Sequence, residues 1–150
     1  MTAEVHWEWE GQRPLEDVAV TEAVGAALDQ GGRSGIELVV IFVDDPTLAD
    51  LHERFLADPS PTDVMSFDLG EGPGPAGEVY VSVDRARERA EVRGVDLARE
   101  LCLYVVHGTL HLCGLDDHEP GDREAMRAAE ALVMTRLGYP EDDAPHEFGA

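Results

Sequence analysis

The stretch IELVVIFV, residues 36–43, is the feature that most constrains the fold of this chain. It is a nearly continuous run of apolar residues, most of them β-branched. Runs of this length and composition are typical of a strand that is buried on both faces, whereas a half-exposed strand alternates apolar and polar residues. The run therefore predicts a central strand of a β-sheet.

The segments around this strand predict an alternating arrangement of strands and helices. Val5, Trp7 and Trp9 alternate with polar residues, as in a half-buried strand, and the same alternation recurs at 62–69 and 77–83. Helical spacing with capping residues and glycine stops predicts five helices, at 14–29, 45–57, 84–93, 96–113 and 119–137. The pattern predicts an α+β fold with four strands and about five helices.

Length and composition favour one globular domain. A chain of 150 residues with 43% hydrophobic residues is long enough to bury one core without disulfides. We expect a single domain over 1–150 that ends in an acidic tail from about residue 140.

No apolar run approaches the length of a membrane span, and the N-terminus lacks the basic and then apolar pattern of a signal peptide, so we expect a cytoplasmic protein. Cys102 and Cys113 are expected to be reduced.

The charge is strongly unbalanced. The chain has 32 acidic and 11 basic residues, for a formal net charge of −21, and every basic residue is an arginine. Such a field repels polyanions unless the arginines cluster, so no DNA binding is expected, although uniform acidity can also reflect solubility or a saline cytoplasm. The basic residues are concentrated in one run, Arg85, Arg87, Arg89, Arg93 and Arg99.

The segment HGTLHLCGLDDH, residues 107–118, carries three of the six histidines. His107 and His111 are four residues apart on a predicted helix, so their rings share one face and can bind one metal ion. Gly114 ends the helix, and His118 follows the turn, where it can offer a third nitrogen. Three protein ligands with a fourth position open to water are typical of a catalytic zinc site.

This spacing is similar to the metzincin pattern HExxHxxGxxH, with two departures. Gly108 stands where metzincins have the glutamate that acts as general base, which argues against a peptidase of that kind. The third histidine falls eleven positions after His107 instead of ten, and Asp117 occupies the tenth. Either Asp117 or His118 can complete the site. Imidazole is the commoner zinc ligand in a histidine-led site, which favours His118.

The motif HGTLHLCG followed by DDH resembles the pattern HGxLHLxGxDH of the YbeY family of bacterial endoribonucleases. Two further segments resemble that family in the same order, LADLHERFLADPSPTDVMSF and GEVYVSVDRARERA. The resemblance implies a zincin-like cleft between the helices and a small mixed sheet, with one zinc ion held by the three histidines. It also implies a cytoplasmic protein that processes ribosomal RNA and acts on that RNA or on a ribosomal subunit.

The resemblance also bears on the residues that contact substrate. The family usually carries an arginine where this chain has Leu56, and the nearest alternative is Arg54. Ser66 is expected to line the cleft and, like Arg54, to contact substrate. An alternative is that Ser66 and Asp63 only satisfy backbone groups at the start of a strand. Glu100, seven residues before His107, either orients a ligand ring or is an ordinary solvated glutamate.

Three functions are compatible with these motifs. The first is a zinc-dependent endoribonuclease specific for single strands, in which His107, His111 and His118 form the catalytic centre. The second is a zinc hydrolase of a small amide or peptide, and the third is a ribosome-assembly factor in which zinc has only a structural role.

Overall fold

The structure is a computed structural model that describes residues 2–56 and 62–139. Its strands are β1 (Ala3–Glu8), β2 (Leu38–Val43), β3 (Val64–Asp68) and β4 (Gly77–Ser82). Its helices are α1 (Asp17–Gly31), α2 (Asp45–Leu56), α3 (Val83–Arg93), α4 (Leu97–Leu112) and α5 (Pro120–Arg136). The expected acidic tail, from about residue 140, lies outside the described residues, as does Ala57 at the expected end of α2.

The four strands form one mixed sheet in the order β1-β2-β4-β3. Strands β1, β2 and β4 are parallel, and β3 pairs antiparallel with β4 as an edge strand. The run IELVVIFV supplies β2, whose side chains are buried on both faces of the sheet except for Val39, which is half-buried. The predicted α+β class, the mixed four-stranded sheet and the five helices are confirmed for the described part of the chain.

Helices cover both faces of the sheet, because the central strand β2 is apolar on both. The larger core cluster lies between one face and helices α1, α3, α4 and α5, and the smaller cluster lies under α2 on the other face. Helix α4 is buried nearly all round, as its apolar sequence predicts. No helix in the ranges 2–56 and 62–139 is long and apolar enough to cross a membrane.

The structure corrects three helix starts. Helix α1 begins at Asp17 and not at Pro14. The residue that caps α2 is Asp44, whose carboxylate accepts a hydrogen bond from the amide of Thr47 at 2.8 Å, and Asp45 is the first helical residue. Ser82, and not Asp84, caps α3 by accepting from the amide of Arg85 at 3.1 Å. In α2 and α3 a residue with a side-chain oxygen, Asp44 or Ser82, precedes the expected cap. That earlier oxygen accepts the hydrogen bond from the first turn of the helix.

Helix α1 ends in close contact with the end of α4, and the contact requires glycine. A β-carbon built on Gly31 would lie 2.3 Å from Sγ and 2.4 Å from Cβ of Cys113. Both cysteines are free thiols, as expected, and Cys113 is half-buried against the core.

We predict that Gly31→Ala lowers the free energy of unfolding by about 1–3 kcal/mol, because the added methyl group overpacks this contact. The measurement is urea denaturation. The matched control is Gly25→Ala in the same helix, where the nearest atom is 4.0 Å away and alanine should raise stability by about 0.5–1 kcal/mol. Equal effects of the two substitutions would contradict the prediction.

Candidate functional site

Helix α4 places His107 and His111 on one face near its C-terminus. His107 is buried, with 2% of its surface exposed, and His111 is half-buried. Their Nε2 atoms face each other at 3.0 Å, and the rings meet edge to face with centroids 4.6 Å apart. The spacing of four residues therefore directs both imidazoles toward the same point, as the sequence predicts.

Asp117 is the third group at this point. The chain turns after α4 at Gly114, whose φ of 99° is in the left-handed region that glycine favours, and returns toward the histidines. One carboxylate oxygen of Asp117 lies 3.4 Å from His107 Nε2, and the other lies 3.5 Å from His111 Nε2. Two ligands at about 2.1 Å from a tetrahedral zinc ion are about 3.4 Å apart. Each Asp117 oxygen lies at about this distance from one imidazole, and the three side chains are close enough together to hold one ion.

His118 lies apart from this group. Its Nε2 is 3.4 Å from a carboxylate oxygen of Asp116, and 83% of its side chain is exposed. The chain has one residue more between His107 and His118 than the metzincin spacing, and this residue carries the imidazole past the point where the two helical histidines meet. Asp117, ten residues after His107, reaches that point instead. A second set of possible ligands, Asp116, Asp117 and His118, shares Asp117 with the first set.

Glu130 from helix α5 holds the ring of His107 from behind. Its carboxylate is 2.5 Å from Nδ1 of His107, and only 4% of its surface is exposed. A carboxylate that accepts a hydrogen bond from Nδ1–H leaves the lone pair of Nε2 available to an ion and fixes the ring orientation. The histidine motif does not include Glu130, but the sequence carries one signal for it: a glutamate on the buried face of α5, beside Met126, Ala129 and Val133.

The electrostatics of the group favour a bound cation. Burial acts to lower the pKa of His107, but hydrogen bonds to Asp117 and Glu130 outweigh it, and the pKa is raised. The hydrogen bond with His107 lowers the pKa of Asp117 to about 2. Burial and the neighbouring His107 lower the pKa of His111, which keeps that imidazole neutral and able to donate its lone pair. The Asp117 carboxylate thus faces both imidazoles at one point, and Glu130 contacts His107 from the other side of its ring.

Glu100 is not a solvated residue, which corrects one of the two expectations for it. Its side chain is fully buried and pairs with Arg93 of α3. Most arginines of the run Arg85–Arg99 contact other side chains of the protein. Arg85 donates to Asp63 at 2.9 Å, and the guanidinium of Arg87 lies over the ring of Trp9 at 5.1 Å.

Gly108 faces the sheet and not the cleft. A β-carbon on Gly108 would lie 2.6 Å from Cγ1 of Val79 and 3.0 Å from Oγ of Ser66, and that hydroxyl donates to the Gly108 carbonyl at 2.8 Å. The absence of a glutamate after His107 follows from this packing, since a long side chain at 108 would enter the sheet.

A cavity of about 880 Å³ opens beside the histidines along the edge strand β3. Its walls include His107, His111, Asp117, His118 and Ser66, which the sequence singled out. They also include Phe55, Phe67 and Arg123, which it did not. Arg54 is not part of the wall, because its exposed side chain lies 3.6 Å from Asp50 on the surface of α2. Arg123 is the one arginine of the wall within the described ranges.

Comparison with known proteins identifies relatives of this chain. The family model described as Endoribonuclease YbeY matches residues 11–138. Proteins named Endoribonuclease YbeY include one from Beutenbergia cavernae, 40% identical over 67% of this chain and 75% of its own length. Another, from Phocaeicola vulgatus, is 35% identical over 89% of this chain and 99% of its own length. The solution structure of a Thermotoga maritima protein has the same fold, with a TM-score of 0.62, 23% identity, and coverage of 91% of this chain and 89% of that one.

We predict that Gly108→Ala lowers the free energy of unfolding by about 1–3 kcal/mol, because α4 would have to move away from β3 and β4. Urea denaturation measures the loss. Gly121→Ala in α5 serves as control, since nothing lies within 4 Å of the position and little change is expected there. An unchanged stability for Gly108→Ala would show that α4 does not depend on this close approach.

Proposed function

The chain belongs to the YbeY family, and we propose on that basis that it is a metal-dependent endoribonuclease that cleaves single-stranded RNA. The observation that carries the proposal is the group formed by His107, His111 and Asp117 at the wall of a cavity of about 880 Å³. Ribosomal RNA in the cytoplasm is the proposed substrate, on the resemblance of the three sequence segments to that family. Ribosomal subunits are the proposed partners.

The donor set suits zinc. Two imidazole nitrogens and a carboxylate are ligands that zinc accepts. The two Nε2 atoms lie 3.0 Å apart, and each is 3.4–3.5 Å from one of the two Asp117 oxygens, so the three side chains are close enough to share one ion. We propose that His107, His111 and Asp117 hold the ion, with a fourth position open toward the cavity. When bound, zinc would supply a Lewis acid beside the phosphodiester.

The side chains around the site have separate roles in this proposal. Glu130 keeps Nε2 of His107 directed at the ion, and Ser66 holds β3 against α4 through the carbonyl of Gly108. His118 contacts the substrate and not the ion, because its exposed imidazole lines the same cavity. Arg123, at the wall formed by α5, contacts a phosphate of the RNA and takes the role that the family resemblance suggested for Arg54.

The two other functions have less support. A peptidase that uses a glutamate after the first histidine is disfavoured, because position 108 faces the sheet. A purely structural zinc is typically closed by four protein ligands, whereas the three groups here face a cavity.

We predict that the metal-free protein binds one zinc ion and that Asp117→Ala weakens binding by more than about 100-fold, beyond what loss of an outer-shell partner costs. His118→Ala should retain the affinity, because its imidazole lies with Asp116. The measurement is a competition titration with a chelating dye. Asp116→Ala is the matched control. Loss of zinc in His118→Ala, with retention in Asp117→Ala, would assign the third position to the histidine.

We predict that Arg123→Ala lowers kcat/KM for a single-stranded oligoribonucleotide by about 10-fold, the lower range for a hydrogen bond to a charged group. The slope of log Kd against the logarithm of the salt concentration should decrease by roughly 0.7, the value for one phosphate contact on a single strand. Arg136→Ala, an exposed arginine at the other end of α5, controls for the change in net charge. A larger effect of Arg54→Ala would return the phosphate contact to the position that the sequence favoured.

A further inference from the structure

Phe55 is a large apolar side chain that is unusually exposed for its position. It lies in the last turn of α2, and 60% of its surface is open although the helix packs Leu48 and Leu51 against the sheet. Single exposed apolar residues are common and need no explanation by themselves. Phe55 differs because its ring lines the cavity that contains the candidate metal site.

The ring of Phe55 is supported by other rings. It meets Phe67 of β3 edge to face, with centroids 5.3 Å apart at 66°. Phe67 in turn meets Tyr80 of β4 at 5.7 Å and 89°. This row of rings holds Phe55 at the edge of the sheet. We call Phe55 and Phe67, which both line the cavity, the aromatic pair.

The edge strand β3 connects the aromatic pair with the metal site. Consecutive residues of a strand point to opposite faces, so Ser66 reaches α4 beside His107 while Phe67 reaches α2. Strand β3 is short and lies at the edge of the sheet, and the cavity extends over both sides of it. A polymer that crosses this edge would have its backbone at the metal site and its side groups near the aromatic pair.

We propose that the aromatic pair is a stacking platform for one unpaired base of the RNA, next to the bond that is cleaved. This inference rests on the proposed function. An aromatic ring stacks on any base whose face is open, whereas the bases of a duplex are covered by their neighbours, so the platform selects single strands. It also fits the charge of −21, because stacking supplies binding energy that does not depend on attraction between the protein and phosphate.

The test measures binding and cleavage separately. Binding is followed by fluorescence anisotropy with a labelled 2′-O-methyl oligonucleotide of unstructured sequence, and cleavage is followed with the unmodified RNA. Phe55→Ala should raise Kd by about 5- to 100-fold, the range that alanine substitution of a stacking aromatic gives. Phe55→Trp should preserve binding. Phe55→Leu, which keeps the apolar bulk without a ring, should behave as the alanine variant does.

The matched control is Leu132→Ala in α5, since Leu132 is 59% exposed and does not line the cavity. It should bind and cleave RNA as the wild type does. Raising the salt concentration should leave the ratio of the Kd of Phe55→Ala to the Kd of the wild type unchanged, because stacking involves no counterion release.

Oligonucleotides with one abasic position at successive places along the strand locate the stacked base. At the matching position the wild type should lose about as much affinity as Phe55→Ala loses on intact RNA. The Phe55→Ala protein should lose nothing more on that oligonucleotide, because the contact is already absent. Equal losses for the two proteins at every abasic position would overturn the platform, as would wild-type binding by Phe55→Ala or Phe55→Leu.

The outcomes also separate this inference from the proposed function. If the wild type cleaves RNA and Phe55→Ala matches it in binding and in rate, the platform is wrong and the function stands. If the wild type binds without cleaving, and Phe55→Ala loses that binding, the platform stands and the endoribonuclease proposal fails. If the wild type neither binds nor cleaves, both are wrong.

Discussion

The packing of α4 against β3 and β4 is the constraint on which the rest of the site depends. The helix can approach the sheet closely because Gly108 has no side chain, and Ser66 fastens the contact by donating to the Gly108 carbonyl. His107 and His111 lie on the side of the helix that is turned toward the cavity. A larger side chain at 108 would separate helix and sheet and move both imidazoles together, so the geometry of the ligands is fixed by apolar packing as much as by their own hydrogen bonds.

The chemistry of the site follows from a balance of charges in a partly buried place. Glu130 and Asp117 compensate a positive charge between them, and the low pKa of Asp117, about 2, keeps its carboxylate ionised. A cation at the point where His107, His111 and Asp117 meet would be paired directly with the Asp117 carboxylate, and Glu130 would act on it through the ring of His107. The strongly acidic surface of the chain has a different role, since it discourages general attraction of polyanions and leaves RNA recognition to particular side chains.

Much of the fold could be predicted because its signals are local. The apolar run of β2, the alternation in the other strands and the glycine stops after α1 and α3 all depend on neighbours in sequence, and the element order they predict is the one observed. The burial of Glu100 and the ion pairs of the arginine run could not be predicted for a complementary reason. Their partners, such as Arg93 for Glu100 and Asp63 for Arg85, become neighbours only when α3, α4 and β3 are packed together.

The sequence alone determined that His107 and His111 share one helix face, because a spacing of four residues corresponds to about one turn of any α-helix. It also determined the family, because three motifs recur in order. That Asp117 and not His118 lies against the two imidazoles depends on how the turn at Gly114 returns to α4, which local sequence patterns do not specify. The same holds for Glu130 and Phe55, which the packing of α5 and α2 brings to the site from distant parts of the chain.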